Sequence, residues 1–387
     1  MSNTHTAPQI RVRTTSAASS AIQPATVWAV VGAAFLALTA YILIRWFNSP
    51  DFAPVRPPTG VQMPGYVRFW VLWTQVLSTL FSVILIWYWI AKPKIQTGRL
   101  SLYGLISLAS ATVYIQDPLQ SYFTFGFSYN SALLNWGSWA NFIPGFLTPN
   151  MQRLPENPLM AGSTYIWFNF GYPVFFAWLW KRLDARFPHW GTVKTIAALF
   201  GVMIAWDALQ ELIFLRCQVY GYPAAIHALS VFPGHYYQYP VYVGLTTAIF
   251  WFAMATLVYY RDDKGRSWAE RGIDNLALPE SARTCVRFLA FTGACHVIFI
   301  VSYFIPSWWW FPHSEGIPED TPAYMINGIC GKEAGYPCAG SGVPFPRRDG
   351  KTLYPEWMTI DWSKVPPMGS RVPAQPPDAR PNPTPQP

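Results

Sequence analysis

Thr195-Ile-Ala-Ala-Leu-Phe-Gly-Val-Met-Ile-Ala-Trp-Asp-Ala-Leu-Gln-Glu-Leu-Ile-Phe-Leu215 is the stretch on which the reading of this chain turns. It is apolar over a length that can cross a bilayer, which takes roughly 20 residues of helix. Within it lie Asp207 and Glu211, and a spacing of four stacks both carboxyls on one helix face. A charge at membrane depth costs on the order of 3 kcal/mol even on the lenient insertion scale. Two acids are tolerated there only if they face protein or water, are partnered, or stay protonated, so this pair is the first candidate for a working centre.

The rest of the chain agrees with a membrane reading. Apolar residues make up 52% and charged residues only 12%, about half the charged share of a soluble domain. Aromatics bunch at the ends of apolar runs, as in Trp87-Tyr88-Trp89, Tyr259-Tyr260 and Trp308-Trp309-Trp310, where interfacial belts belong. The net charge of +8 does not point to nucleic acid, because the basic residues sit in short loops between apolar segments. Apolar segments at 27–46, 69–90, 100–116, 159–180, 193–215, 241–260 and 287–305 predict an all-α, polytopic integral-membrane helix bundle of about seven transmembrane helices. The third is the shortest.

Lysine and arginine concentrate in the N-terminal tail and in the loops 91–99, 181–194 and 261–287. By the positive-inside rule this places the N-terminus inside and the C-terminus outside. The first apolar segment is too long for a signal peptide and no Ala-x-Ala site follows it, so it is expected to stay as an anchor. The expected organisation is a disordered cytoplasmic tail at 1–24, a membrane domain at 25–310 with an extracytoplasmic aromatic cap at 117–158, and an extracytoplasmic Pro-rich tail at 311–387. The loop 261–283 mixes both signs and reads as a solvated surface segment. Cys330 and Cys338 form a pair in a segment expected to be extracytoplasmic, which permits a disulfide. A multi-pass protein of a bacterial plasma membrane is the expected location.

Depth along the helices sharpens the candidates. With the span centred near Ile204, Asp207 lies ~4.5 Å and Glu211 ~10 Å toward the outer side, at 1.5 Å per residue. His296 falls near the middle of the last span, at the level of Asp207, and Asp117 closes the third span at the same outer side. Each has a bland alternative. Asp207 and Glu211 can be a packing network, Asp117-Pro118 a helix stop, and His296 a satisfied core histidine. Arg216 is the obvious partner for Glu211, but five residues turn about 140° around a helix, off the shared face. Arg153 in the cap is the other candidate.

Asn130, Asn135, Trp139 and Asn141 in the cap, Asn169 in the fourth span, and His227 and His235 in the 216–240 loop are candidate substrate contacts. The asparagines can equally tie the cap together, since buried amides must be bonded, and the two histidines can be interfacial. Tyr236, Tyr237 and Tyr239 read as belt residues. No histidine spacing of the membrane di-iron type occurs, and Cys217, Cys285 and Cys295 lack metal-ligand spacing. A metal held by Asp117, Asp207, Glu211 and a histidine stays open, but the expectation is none. The last span has no lysine for a retinal Schiff base. There is also no P-loop, dinucleotide fingerprint or Gly-x-Ser-x-Gly.

The cap reads Asp117-Pro-Leu-Gln, Tyr129-Asn130, Asn135-Trp-Gly-Ser-Trp139 and Ile143-Pro-Gly145, followed by the span bearing Asp207 and Glu211. Together these resemble the AveC-type spirocyclase family of polytopic actinobacterial membrane proteins, over roughly residues 25–305. The resemblance implies acid–base cyclisation, dehydration or isomerisation, with spiroketal formation through an oxocarbenium ion as its pattern and no redox or other cofactor. Such chemistry needs an acid for the departing hydroxyl, an anion for the cation and a base for the incoming hydroxyl. On depth, Asp207 is expected as the protonated acid, Glu211 as the ionised stabiliser or base, and His296 as the group orienting Asp207. A hydrophobic polyketide, terpenoid or lipid would enter from the bilayer under a lid made by 117–158. The competing expectations are a proton-coupled carrier, against which the absence of an internal repeat speaks, and a non-catalytic membrane subunit.

Overall fold

Proline at the start of the first helix has no amide hydrogen to leave unpaired, and α1 (Pro24–Phe47) opens in this way. The computed structural model describes residues 23–331, 334, 338–340, 345–348 and 352–353. After α1 come α2 (Gly65–Thr97), α3 (Leu102–Thr112), capped by the Ser101 side chain, and α4, a helical stretch over 158–186. Next are α5 (Thr192–Arg216) and α6 (Val241–Tyr259), then α7 (Glu280–His313). Strand is confined to two-residue ladders.

Five of these helices, α1, α2, α5, α6 and α7, are long and apolar enough to cross a membrane. The expected third and fourth spans differ from that pattern. α3 is an 11-residue helix, about 16 Å long at 1.5 Å per residue, and it continues as the 3₁₀ segment Val113–Ser121, which contains Pro118. α4 is interrupted by π-helical turns at Pro158–Gly162 and Trp167–Gly171.

α1 packs along α7, and α3 also packs against α7. The α1–α7 crossing is close because both helices present glycine. A Cβ on Gly32 would lie 1.9 Å from the Leu289 carbonyl oxygen, and one on Gly293 would lie 2.2 Å from that of Trp28. Small residues at such crossings let backbones approach where lipid offers no hydrophobic drive. α5 packs instead against α6 and α4. The core between them is aromatic, with Phe170, Phe176, Phe250 and Trp251 all buried, while α2 turns Phe69, Leu72, Leu80 and Val83 outward.

The loops expected on one side do gather at one end. Ser128–Tyr129 pairs antiparallel with Tyr220–Gly221, the Asn135 amide grips both backbone groups of Val55, and the Ser131 amide donates to the Tyr324 carbonyl. Residues 311–331 therefore pack onto the cap directly after α7, with Tyr324, Met325 and Ile329 buried. Cys330 and Cys338 are disulfide-bonded. At the opposite end, the loop expected to be solvated carries a buried anchor. Glu270 accepts from the Ser267 amide at 3.1 Å and from Arg287 Nε at 2.5 Å, because an acid beside the start of α7 finds an arginine there. Of the expected tails at 1–24 and 311–387, residues 1–22 and 354–387 lie outside the described residues, Pro24 starts α1, and 311–331 pack on the cap.

Candidate functional site

Where α2, α4, α5 and α7 diverge beneath the cap they leave a cavity of about 630 Å³. Each of the four π-helical turns among the described residues contributes to its wall: Trp89, Met160, Asn169 and Tyr303 come from Trp87–Ala91, Pro158–Gly162, Trp167–Gly171 and Ile300–Phe304. A π turn inserts one residue and swings the side chains that follow, which is why such turns recur at functional sites. Most of the wall is aromatic or aliphatic. Among the described residues two carboxyls face it, Glu211 from α5 and Asp117 from the 3₁₀ segment, and no lysine, arginine or histidine does. On one flank the lining residues Phe81 of α2 and Ile213 of α5 are 59% and 45% exposed, so the cavity opens sideways between two membrane-length helices.

Glu211 meets the hydroxyls of Tyr220 and Tyr222, which come from the loop following α5. One turn earlier, Asp207 is fully buried behind it and takes a 2.9 Å hydrogen bond from Tyr239 Oη, with the Thr247 hydroxyl nearby. Gly244 on α6 makes room for this contact. A Cβ there would lie 2.1 Å from Tyr239 Oη and 3.1 Å from Asp207 Oδ2. One carboxylate oxygen on each acid, Asp207 Oδ1 and Glu211 Oε2, has no hydrogen-bond partner. Tyr239 is thus a buried donor and not a belt residue.

Across the cavity, Asp117 accepts 2.9 Å and 2.8 Å hydrogen bonds from Tyr129 and Tyr165. Its carboxyl also meets that of Glu156, a buried cap residue that sequence reasoning passed over. The signal was present: Asp117 and Glu156 are the only acids in 117–158. Burial raises the Asp117 carboxyl above the ordinary aspartate value, against the pull of its hydrogen bonds. Burial first, and then the neighbouring Asp117 charge, hold Glu156 well above the usual carboxylate range. Burial likewise pushes the Tyr129, Tyr220 and Tyr222 phenols well up, so they are neutral donors.

The structure separates other residues from the site. His296 does not orient Asp207. It hydrogen-bonds Thr112 Oγ1 at 3.0 Å and Gln116 Nε2 at 2.8 Å and stacks on Phe35, because its face of α7 meets α1 and α3. Of the expected substrate contacts, Asn169 alone lines the cavity, buried and with Nδ2 unpartnered. The other candidates hold loops. Asn130 bonds the Gln218 carbonyl at 2.9 Å, Trp139 Nε1 the Ile115 carbonyl at 2.7 Å, and Asn141 the Asp51 carboxyl at 2.7 Å. His235 pairs with Asp320 at 3.0 Å, and the His227 amide donates to Glu315. Arg216 lies over the Tyr237 ring at 3.6 Å, and Arg153 donates to the Gly328 carbonyl, so neither base pairs with the acids. Among the described residues no three His, Cys, Asp or Glu side chains converge as a metal site requires.

No curated protein and no solved structure matches the chain. A family model described as "Spirocyclase AveC-like" matches residues 97–326, the part that carries Asp117, Glu156, Asn169, Asp207 and Glu211. The match leaves out α1 and all but the last residue of α2, and it continues past 305 into the segment packed on the cap. With well over half its length matched, the chain belongs to the AveC-like spirocyclase family.

Proposed function

We propose that the protein is a membrane-embedded cyclase that closes an oxygen ring in a hydrophobic substrate with loss of water, by acid–base catalysis between Glu211 and Asp117. One observation carries this reading: two carboxyls share an apolar cavity that opens between α2 and α5 and to which the described residues bring no base. Two adjacent carboxyls without a cation cannot both be charged in a dry wall, so the Asp207–Glu211 pair keeps a proton. Glu211 is its member on the cavity and gives that proton to the departing hydroxyl, which leaves as water when its C–O bond breaks. Asp117 faces the resulting oxocarbenium ion and takes the proton of the incoming hydroxyl as the new C–O bond forms. Return of that proton to Glu211 resets the site.

Asn169 Nδ2, without a protein partner, donates to a substrate oxygen. A polyketide, terpenoid or lipid with few oxygens fits such a wall and reaches it from the bilayer through the flank at Phe81 and Ile213. In this reading the protein is multi-pass in a bacterial plasma membrane, with the cap outside. This differs from the depth argument, which made Asp207 the acid, because Glu211 and not Asp207 lines the cavity.

The test is metabolite and lipid profiling of a deletion strain complemented with wild type, Glu211→Gln or Asp117→Asn. Accumulation of a precursor one water heavier in the deletion and in both variants supports cyclisation and identifies the substrate. Unchanged profiles with folded variants sink it. Loss of proton-linked uptake instead would move the reading to a carrier.

A further inference from the structure

Glu156 is buried, belongs to the cap, and touches the cavity only through Asp117. The groups facing the two carboxyls are Tyr114 and Tyr129, Tyr165 of α4, Ser138 of the cap and Tyr303 of α7. None is basic, and the one base of the cap, Arg153, is directed at the Gly328 carbonyl. Two carboxyls in contact without a cation must share a proton. The donor count says which one holds it. Asp117 already accepts from Tyr129 and Tyr165, one hydroxyl on each oxygen, whereas neither buried oxygen of Glu156 has a hydroxyl or amide donor. Two hydroxyl donors stabilise an anion, and a carboxyl poor in donors keeps its proton and becomes a donor itself.

We infer that Glu156 is a positioning residue: neutral, it donates a hydrogen bond to Asp117 and fixes Asp117 as the anion on the cavity wall. The use of that anion rests on the reading proposed above, but the proton assignment does not, and the experiment separates the two. Infrared difference spectra of the purified full chain at neutral pH, wild type against Glu156→Gln and against Asp117→Asn, read the protonated carboxyl C=O band. E156Q is expected to lose one such band, beside the one that the Asp207–Glu211 pair keeps, and D117N to lose none. No loss in E156Q, or a loss only in D117N, overturns the inference.

Turnover adds a readout that a merely structural role would not move. Because glutamine still donates a hydrogen bond, E156Q should keep activity within about threefold, the factor by which similar hydrogen bonds commonly differ. It should also remove the part of the alkaline fall in rate that ionisation of Glu156 imposes on the wild type, leaving the part that ionisation of the acid Glu211 imposes. An unchanged alkaline limb counts against the inference. Should E156Q fail to fold, the Asp207→Asn/Glu211→Gln double variant leaves this pair as the carboxyl source at the cavity, and absence of its band overturns the assignment. If the infrared result holds while D117N turns over normally, the cyclase assignment of Asp117 fails and the proton assignment stands.

Discussion

Tyr129 and Tyr220 stand directly opposite each other in a two-residue antiparallel ladder. One donates to Asp117 and the other meets Glu211. Directly opposed residues of an antiparallel pair share a face, so this short ladder sets the donors of both cavity acids side by side. It also joins the cap to the loop after α5. A pair of carboxyls far apart in sequence is thereby registered by two backbone-paired tyrosines.

The acids themselves are the first target. Glu211→Gln and Asp117→Asn should each lower the turnover number by about 10²–10⁴, the usual contribution of a general acid or base, with the fold retained. Tyr129→Phe should cost about tenfold, as expected for a hydrogen bond of about 1.5 kcal/mol to the charged Asp117, and Tyr220→Phe about fivefold, as expected for one of about 1 kcal/mol to the protonated Glu211. Product formation per folded molecule measures both, and full activity in either carboxyl variant removes that acid from the mechanism.

Asn169→Leu should move stability and binding in opposite directions. It deletes a buried N–H that has no partner, which relieves a desolvation cost of about 1–3 kcal/mol. It also removes a donor to substrate, which should raise KM about tenfold with little change in kcat. A thermal melt in detergent and a saturation curve check the two halves, and a lower Tm with unchanged KM would count against this placement.

His296→Ala should leave activity per folded molecule unchanged, because its partners are Thr112 and Gln116 and it does not line the cavity. Its cost is in stability, about 1–3 kcal/mol for the buried groups left unpaired. A large fall in kcat at constant folded fraction would restore the catalytic role expected from its depth.

Gly293→Leu should destabilise by at least 1–3 kcal/mol, roughly the cost of overpacking, since even its Cβ would lie 2.2 Å from the Trp28 carbonyl oxygen. The readout is loss of Tm and of α1 protection from proteolysis. An unchanged melt would mean that α1 and α7 do not cross where described.

Stability should fall as pH rises above the ordinary glutamate value of about 4.3. Glu156 is held well above the usual range by burial and by Asp117. Between that value and its raised one, the folded protein binds a proton that the unfolded chain has released. The slope is at most about 1.4 kcal/mol per pH unit for one such group. E156Q removes this share, so its Tm should gain on the wild type as pH is raised from about 4.5 to 7.5, the window that starts at the unfolded value. A difference that stays flat shows that Glu156 is not the group involved.

Much of this was readable from residue order, and the reason is one-dimensional. Span length, apolar runs and helical rise determine which segments can cross a membrane and how deep Asp207, Glu211 and His296 sit in them. The loops expected to share a side do share an end, and the cysteines expected to pair are bonded. The same arithmetic did not foresee the interruptions of α3 and α4, because apolar content does not reveal where a 3₁₀ segment or a π turn will break a helix. What only the tertiary structure decided is azimuth and neighbour. His296 has the expected depth on its helix, but α7 turns it toward α1 and α3, while α5 faces α6 and α4. Asp117 and Glu156, 39 positions apart in number, meet because the cap folds back over the 3₁₀ segment. Depth follows from counting residues along one helix, whereas a partner depends on how separate helices and loops pack, which no single segment encodes.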